Sequence, residues 1–98
     1  MNKMFKFTLF FYLLINIFNI SISNENFFNK ALELYENKKY EDARFMFERS
    51  IVFNPKDSKS YLYLAKIYKT EENEREQEKN VNSALLLEPN NEEAMYML

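Results

Sequence analysis

The densest group of chemically active side chains in the sequence is a run of five glutamates: Glu71, Glu72, Glu74, Glu76 and Glu78. Clustered carboxylates can bind a hard cation such as Ca²⁺. A calcium-binding loop also needs alternating Asp or Asn ligands and a glycine at its bend, and the chain contains no glycine. Because lysine and arginine interleave with these glutamates, we interpret the run as a solvated helix face and predict no metal site.

Residue types that support catalysis are missing from the composition. The chain has no histidine for proton transfer near neutral pH and no cysteine to act as a nucleophile. Its serines therefore lack the partners of a Ser/His/Asp triad, and without glycine no glycine-rich loop can hold a phosphate. We predict that the protein is not an enzyme and that it takes no cofactor and no small-molecule substrate.

Charge is distributed unevenly along the chain. All 15 acidic residues and 11 of the 13 basic residues follow Ser23, so this part carries a net charge of 11 − 15 = −4. A mildly acidic surface disfavours binding to the phosphate backbone of nucleic acids. We therefore predict protein partners and no nucleic acid.

Residues 1–23 have the three parts of a secretory signal peptide. Two lysines give a positive start, residues 7–22 are mostly apolar, and Ser21 and Ser23 provide small residues at the exit. This pattern predicts cleavage after Ser23 and export to the periplasm, the extracellular space or the secretory pathway.

Two other interpretations of the N-terminal segment stay open. It can be an uncleaved membrane anchor formed by residues 7–22, although a spanning helix needs about 20 apolar residues and Asn16 and Asn19 interrupt this stretch. It can also be an ordinary buried helix of a soluble domain, although its apolar residues would cover every face of that helix. Only the anchor predicts a membrane as a partner.

The rest of the chain has an internal period, which equals the interval between its only two prolines, Pro55 and Pro89 (89 − 55 = 34). Each proline ends a mostly apolar phrase, which starts at Ser50 in one case and at Ala84 in the other. A shift by one period also aligns Phe27 with Tyr61, Ala31 with Ala65, Leu34 with Tyr68, and Phe47 with Val81. A period of this length is typical of helical repeats.

The period and its landmark residues resemble the tetratricopeptide repeat (TPR) family, whose units are helix–turn–helix pairs of this length. The family's large, small, aromatic and proline landmarks fall on Phe27, Ala31, Leu34, Tyr40, Ala43, Phe47, Ser50 and Pro55, and then on Tyr61, Leu64, Ala65, Tyr68, Ala84 and Pro89. The resemblance implies an all-α fold of antiparallel helix pairs stacked as a short right-handed solenoid. Its units would be residues 24–57 and 58–91, and residues 92–98 would start a truncated third unit or form a capping helix.

The second unit departs from the family pattern at several positions. Gln77 stands where a small residue normally allows close helix approach, and Glu74 replaces an aromatic residue of the turn. The turn glycine of the family is Lys38 in the first unit and Glu72 in the second. We therefore expect a looser or longer loop around Thr70–Glu74. At the start of this unit we expect Ser58 or Ser60 to cap the helix 59–69.

In the resembled family, the first helices of successive units line a concave groove that takes peptides or partner helices. Residues spaced i, i+3, i+7 lie on one helix face, so the exposed side of these helices is expected to show seven candidate partner-binding residues: Phe28, Leu32, Tyr35, Lys59, Leu62, Lys66 and Lys69. Together they would form an apolar shelf beside a positive stripe, suited to a peptide with bulky and acidic side chains. The alternative is that the lysines are merely solvated and the aromatics are buried. Members that clamp chaperone tails hold a terminal carboxylate with Lys and Asn at the places of Phe28 and Leu32, so that ligand is not expected.

These observations predict an exported protein-interaction module, a TPR scaffold or adaptor without catalysis. The alternative function is structural, as a membrane-anchored fragment of a larger TPR array that self-assembles. Residues 95–98 are apolar, and a repeat buries its apolar face only against a neighbour. We therefore also expect weak stability, or a homodimer through the C-terminal helix.

Overall fold

The computed structural model describes residues 24–98, with side chains from Phe27 onward. The described part consists of five helices and contains no strand: α1 (Asn24–Glu36), α2 (Tyr40–Phe53), α3 (Ser58–Thr70), α4 (Glu74–Leu87) and α5 (Glu92–Tyr96). The predicted all-α class is confirmed for these residues. The predicted signal peptide or anchor, residues 1–23, lies outside them.

Ring contacts show that α1 and α2 form an antiparallel pair. Phe27 near the start of α1 stacks on Phe53 at the end of α2, with ring centroids 5.3 Å apart. At the opposite end, Tyr35 of α1 meets Tyr40 of α2 edge-on at 5.4 Å. Since the loop between these helices has only three residues, the second helix must return along the first.

Helix α3 then runs antiparallel to α2. Ser60 near the start of α3 donates a hydrogen bond to Ser50 near the end of α2, with 3.3 Å between the two Oγ atoms. Arg44 near the start of α2 forms two hydrogen bonds with the Glu71 carboxylate just after α3, at 3.0 and 2.9 Å. These contacts hold the two helices together at both ends.

Helices α4 and α5 continue the alternation. Helix α4 follows α3 after another three-residue loop and packs along it, and Gln77 in its first turn donates to the carbonyl of Met97 beyond α5 at 3.3 Å. The domain therefore has two ends. We call the end where α1, α3 and α5 begin the entry end, and the end with the loops 37–39 and 71–73 the turn end.

Helix boundaries recur with the same period as the prolines. Helices α1 and α3 begin at Asn24 and Ser58, and α2 and α4 begin at Tyr40 and Glu74. Both turn-end loops have three residues and equivalent hydrogen bonds: Lys38 and Lys39 donate to Tyr35 and Leu34, as Glu72 and Asn73 donate to Lys69 and Tyr68. The expectation of a looser or longer second loop is therefore wrong, because backbone hydrogen bonds fix this turn whatever its side chains.

Each turn-end loop contains one residue with positive φ, namely Lys38 at 60° and Glu72 at 58°. A side chain with a Cβ is disfavoured in this left-handed region by about 1–2 kcal/mol, whereas glycine is not. We expect Lys38→Gly and Glu72→Gly each to raise the free energy of unfolding by up to about 1 kcal/mol, since glycine's larger unfolded-state entropy offsets part of the gain. Urea titration followed by circular dichroism measures the change. Glu33→Gly within α1 is the control, and it should instead lower stability by about 1 kcal/mol.

Side-chain caps fix the helix starts at the entry end. Asp57 accepts a hydrogen bond from the Lys59 amide at 3.1 Å and from the Ser60 hydroxyl at 2.9 Å, so Asp57 is the N-cap of α3. The expectation that Ser58 or Ser60 caps this helix is wrong, because both serines are already inside the helix and buried. Asn91 caps α5 in the same way, accepting from the Ala94 amide at 3.1 Å.

The core has two clusters of buried apolar residues, and α3 contributes to both. The first cluster lies between α1, α2 and α3 and contains Ala31, Ala43, Phe47, Leu64 and Ile67. The second lies between α3, α4 and α5 and contains Leu62, Ala65, Val81, Ala84 and Ala94. The alanines at the contacts have no room for a longer side chain, which lets the helices approach closely.

Candidate partner-binding cleft

A cleft of about 340 Å³ opens where the last turns of α1 and α3 face α5. Its lining residues are Tyr35 from α1, Lys66, Lys69 and Thr70 from α3, and Glu93, Tyr96 and Met97 from α5 and its C-terminal end. The cleft therefore combines cations, a carboxylate and two phenol rings on three neighbouring helices. We refer to it below as the α1–α3–α5 cleft.

Lys66 is the central cation of this cleft, and its charge is already paired. Its Nζ forms a salt bridge with Glu93 and lies 4.8 Å from the centre of the Tyr63 ring. A cation above an aromatic face is attracted to the ring's negative face. Because the carboxylate and the ring satisfy Lys66 within the domain, a partner's acidic group would have to displace Glu93 to reach it.

Lys69 is the exposed cation of the cleft. It lies in the last turn of α3, and no salt bridge to it occurs among the described side chains. A positive side chain at a helix C-terminus also interacts favourably with the helix dipole, so the charge stabilises α3 while it remains accessible. Lys69 is therefore the group best placed to meet a carboxylate from outside.

Tyr35 forms a fixed wall of the cleft. Its ring meets those of Tyr40 and Tyr63 edge-on, at 5.4 and 5.1 Å between centroids. Burial raises the pKa of the Tyr35 phenol above its ordinary value of 10.0, and the nearby charge of Lys66 offsets this only in part. Tyr35 is therefore a neutral hydrogen-bonding group at physiological pH, held in place by its neighbours.

The structure brings together three of the seven predicted binding residues, Tyr35, Lys66 and Lys69. Lys59 is exposed, but it lies at the entry end of α3 and does not line the cleft. Leu32 is half-buried and is also absent from the cleft wall.

Phe28 and Leu62 serve the core instead of an open groove. The Phe28 ring packs edge-on against those of Phe47 and Tyr63, with centroids 5.8 and 6.2 Å apart. Leu62 is only 6% exposed, in the second core cluster. The expectation that Leu62 lies on the exposed side of its helix is wrong, because Ala94 of α5 packs into the same cluster.

The α5 residues of the cleft were not among the predicted site residues. Glu93 follows Lys59 by one period of the repeat, and Tyr96 follows Leu62 by the same interval. Extending the period by one more step would therefore have placed both beside the groove positions of α3. The sequence therefore carried this signal in the residues that follow position 91.

The described residues show no grouping suited to metal chemistry. Within residues 24–98, no three carboxylate side chains come close enough together to hold an ion. In the glutamate run, Glu71 is bound to Arg44, while Glu74 and Glu78 line a second cleft of about 520 Å³ with Met97 and Leu98. No helix in this part of the chain is long and apolar enough to cross a membrane.

No protein-family model matches the chain, and no curated protein is significantly similar to it. The α1–α3–α5 cleft and the helices around it are therefore the features that indicate a function.

Proposed function

We propose that this protein is an exported, non-catalytic interaction module of the tetratricopeptide type. In this proposal residues 24–57 and 58–91 are two units of a short right-handed solenoid, residues 92–98 start a third, and residues 1–23 are a cleaved signal peptide. The single observation that carries the proposal is the α1–α3–α5 cleft, framed by the first helices of successive units. Support for the unit boundaries comes from helix starts, loops and left-handed residues that all recur with the period of the prolines.

The chemistry of the cleft favours a peptide or a partner helix with an acidic and a bulky side chain. Lys69 offers an accessible positive charge at the rim, and Tyr35 and Tyr96 offer aromatic surface on either side of it. Aromatic anchors supply much of the binding energy of protein interfaces, while rim charges set the orientation and the rate of association. The ligand is thus a protein segment, with no role for a cofactor or a nucleic acid.

Site-specific cross-linking tests this function. A photoreactive p-benzoylphenylalanine replaces Tyr96, which is highly exposed in the cleft, and the protein is irradiated in cells that express it. The control places the same group at Phe45, an exposed aromatic position on α2 outside the cleft. We expect a discrete adduct with another protein from position 96 and none from position 45. The same adduct from both positions would show that the cleft is not the binding site.

A charge reversal then tests the role assigned to Lys69. We expect Lys69→Glu to lower the adduct yield from position 96 roughly three- to tenfold, because it turns one attractive rim charge into a repulsive one. Lys79→Glu on α4 is the control, since it makes the same charge change away from this cleft. Added salt should lower the yield in the unsubstituted protein and leave the Lys69→Glu yield nearly unchanged.

A second candidate function is self-assembly of a membrane-anchored array. It is favoured by the exposure of Met95, Tyr96 and Leu98 at the last helix, since large apolar side chains on an end unit are suited to another copy. The cross-linking experiment separates the two functions. Adducts from position 96 with twice the mass of the chain would support a homodimer through α5, whereas adducts of another mass support the partner-binding cleft.

A further inference from the structure

Four exposed apolar side chains lie at the entry end of the domain. They are the last two residues of α2, Val52 and Phe53, and the last two residues of α4, Leu86 and Leu87. Val52 is 77% exposed and Leu86 is 83% exposed. An exposed apolar surface of this kind marks a contact with another molecule more often than an isolated apolar side chain does.

The opposite end of the same two helices is acidic. The first turn of α2 carries Glu41 and Asp42, and the first turn of α4 carries Glu74 and Glu76. The two ends of α2 and α4 therefore differ in polarity, with exposed acidic residues in the first turns and exposed apolar residues at the last two positions. This polarity makes the last turns of α2 and α4 suited to an apolar environment and their first turns suited to water.

The apolar face lies at the end to which the N-terminal segment is joined. The mostly apolar residues 7–22 end two residues before Asn24, the first residue of α1. Two residues of fully extended chain span about 7 Å at most. Whatever surrounds the apolar segment must therefore lie close to the entry end.

If residues 7–22 lie in a bilayer, this distance fixes how the domain sits on it. The polar headgroup layer on each side of the hydrocarbon core is about 5–8 Å thick. A chain that leaves the hydrocarbon at Ile22 thus reaches α1 within or just above the headgroups. The ends of α2 and α4 lie at the same end of the bundle, where their apolar side chains can reach the boundary between headgroups and acyl chains.

We propose that, in the chain that retains residues 1–23, the entry end docks on the bilayer surface through Val52, Phe53, Leu86 and Leu87. Exposed Lys56 and half-buried Asp57 lie in the adjoining α2–α3 loop, and exposed Glu88 lies in the α4–α5 loop, so the face carries charges of both signs. This mixture matches zwitterionic headgroups such as phosphatidylcholine. Docking leaves Lys69 and the α1–α3–α5 cleft pointing away from the lipid, and the proposal does not depend on what the cleft binds.

Depth measurement with single labels tests the docking. The chain has no cysteine, so one introduced cysteine carries one bimane fluorophore. Two variants, Val52→Cys and Leu86→Cys, report on the entry end. The matched controls are Glu41→Cys and Arg75→Cys, in the first turns of α2 and α4. Like the test positions, the control positions are exposed and lie one repeat period apart. Each full-length variant is reconstituted in phosphatidylcholine nanodiscs that contain a nitroxide-labelled lipid, and circular dichroism confirms equal helix content.

We expect quenching by the lipid nitroxide to be at least about twofold stronger for labels at positions 52 and 86 than for labels at 41 and 75, because an interfacial face enters the headgroup boundary by about 5–10 Å. Equal quenching at all four positions would overturn the proposal. So would failure of the full-length chain to associate with the nanodiscs. In a further sample a spin label replaces bimane at position 52. Close approach of these spin labels to each other, together with no quenching of bimane at this position, would place a second copy on this face and would also overturn the proposal.

Discussion

Phe47→Ala is expected to lower the free energy of unfolding by about 3–5 kcal/mol, the range found when a buried aromatic side chain is truncated. Phe47 is fully buried and lies at the centre of the first core cluster. Its ring stacks on that of Tyr63 at 5.2 Å and meets that of Phe28 edge-on at 5.8 Å. Removing it leaves a cavity that rigid helices on three sides cannot fill by small movements.

The size of this loss matters because the domain is small. At about 0.05–0.15 kcal/mol per residue, a domain of this size has a total stability of only about 4–11 kcal/mol. The substitution therefore removes much of the stability, and urea unfolding followed by circular dichroism should show a much lower midpoint or no cooperative transition.

Phe45→Ala is the matched control for this result. Phe45 is two residues away on the same helix and is 56% exposed, and the Arg49 guanidinium lies above its ring, 5.5 Å from the centroid. We expect this change to cost less than about 1 kcal/mol, the strength of an exposed cation–π contact. Equal losses from the two substitutions would mean that the core is not organised around Phe47.

Ala94→Glu is expected to detach α5 and to lower the free energy of unfolding by about 2–4 kcal/mol, because a carboxylate would have to enter a site lined by apolar side chains. Ala94 is completely buried and packs with Leu62, Val81 and Ala84 in the second core cluster. Once α5 leaves, these residues lose part of their cover. Urea titration measures the loss, and faster amide hydrogen exchange in α4 is expected with it.

Met95→Glu provides the control in the next residue. Met95 is 47% exposed, so a carboxylate at this position can remain in water. We expect a change of no more than about 0.5 kcal/mol, as for most surface substitutions. A large loss from Met95→Glu, or none from Ala94→Glu, would show that α5 does not cover the second cluster.

Much of the fold could be predicted from the sequence because its landmarks act locally. Pro55 and Pro89 cannot continue a helix, and they follow the ends of α2 and α4. Apolar residues at helical spacing, such as Ala31 and Leu34, identify the face that packs. The all-α class follows from these signals. The expectation of a looser loop 71–73 was wrong because it rested on the side chains in the loop. Backbone hydrogen bonds to the carbonyls of Tyr68 and Lys69 fix the conformation of this loop instead.

The candidate site could be predicted only in part, because its residues depend on contacts between helices. Spacing along α3 places Leu62 and Lys66 on one face, but it cannot show that Ala94 joins the core cluster of Leu62 or that Glu93 pairs with Lys66. A salt bridge between separate helices depends on their relative position, which the sequence of one helix does not reveal. Lys69 forms no salt bridge with the other described side chains, and it alone kept its predicted exposure and position in the cleft.

The position of α3 between the two core clusters has a consequence for how the domain unfolds. Leu64 and Ile67 belong to one cluster, whereas Leu62 and Ala65 belong to the other. Neither half of the bundle can therefore lose α3 without exposing apolar residues of the other half. This sharing couples the melting of α1 and α2 to that of α4, so the described helices form one cooperative unit of unfolding instead of two independent hairpins.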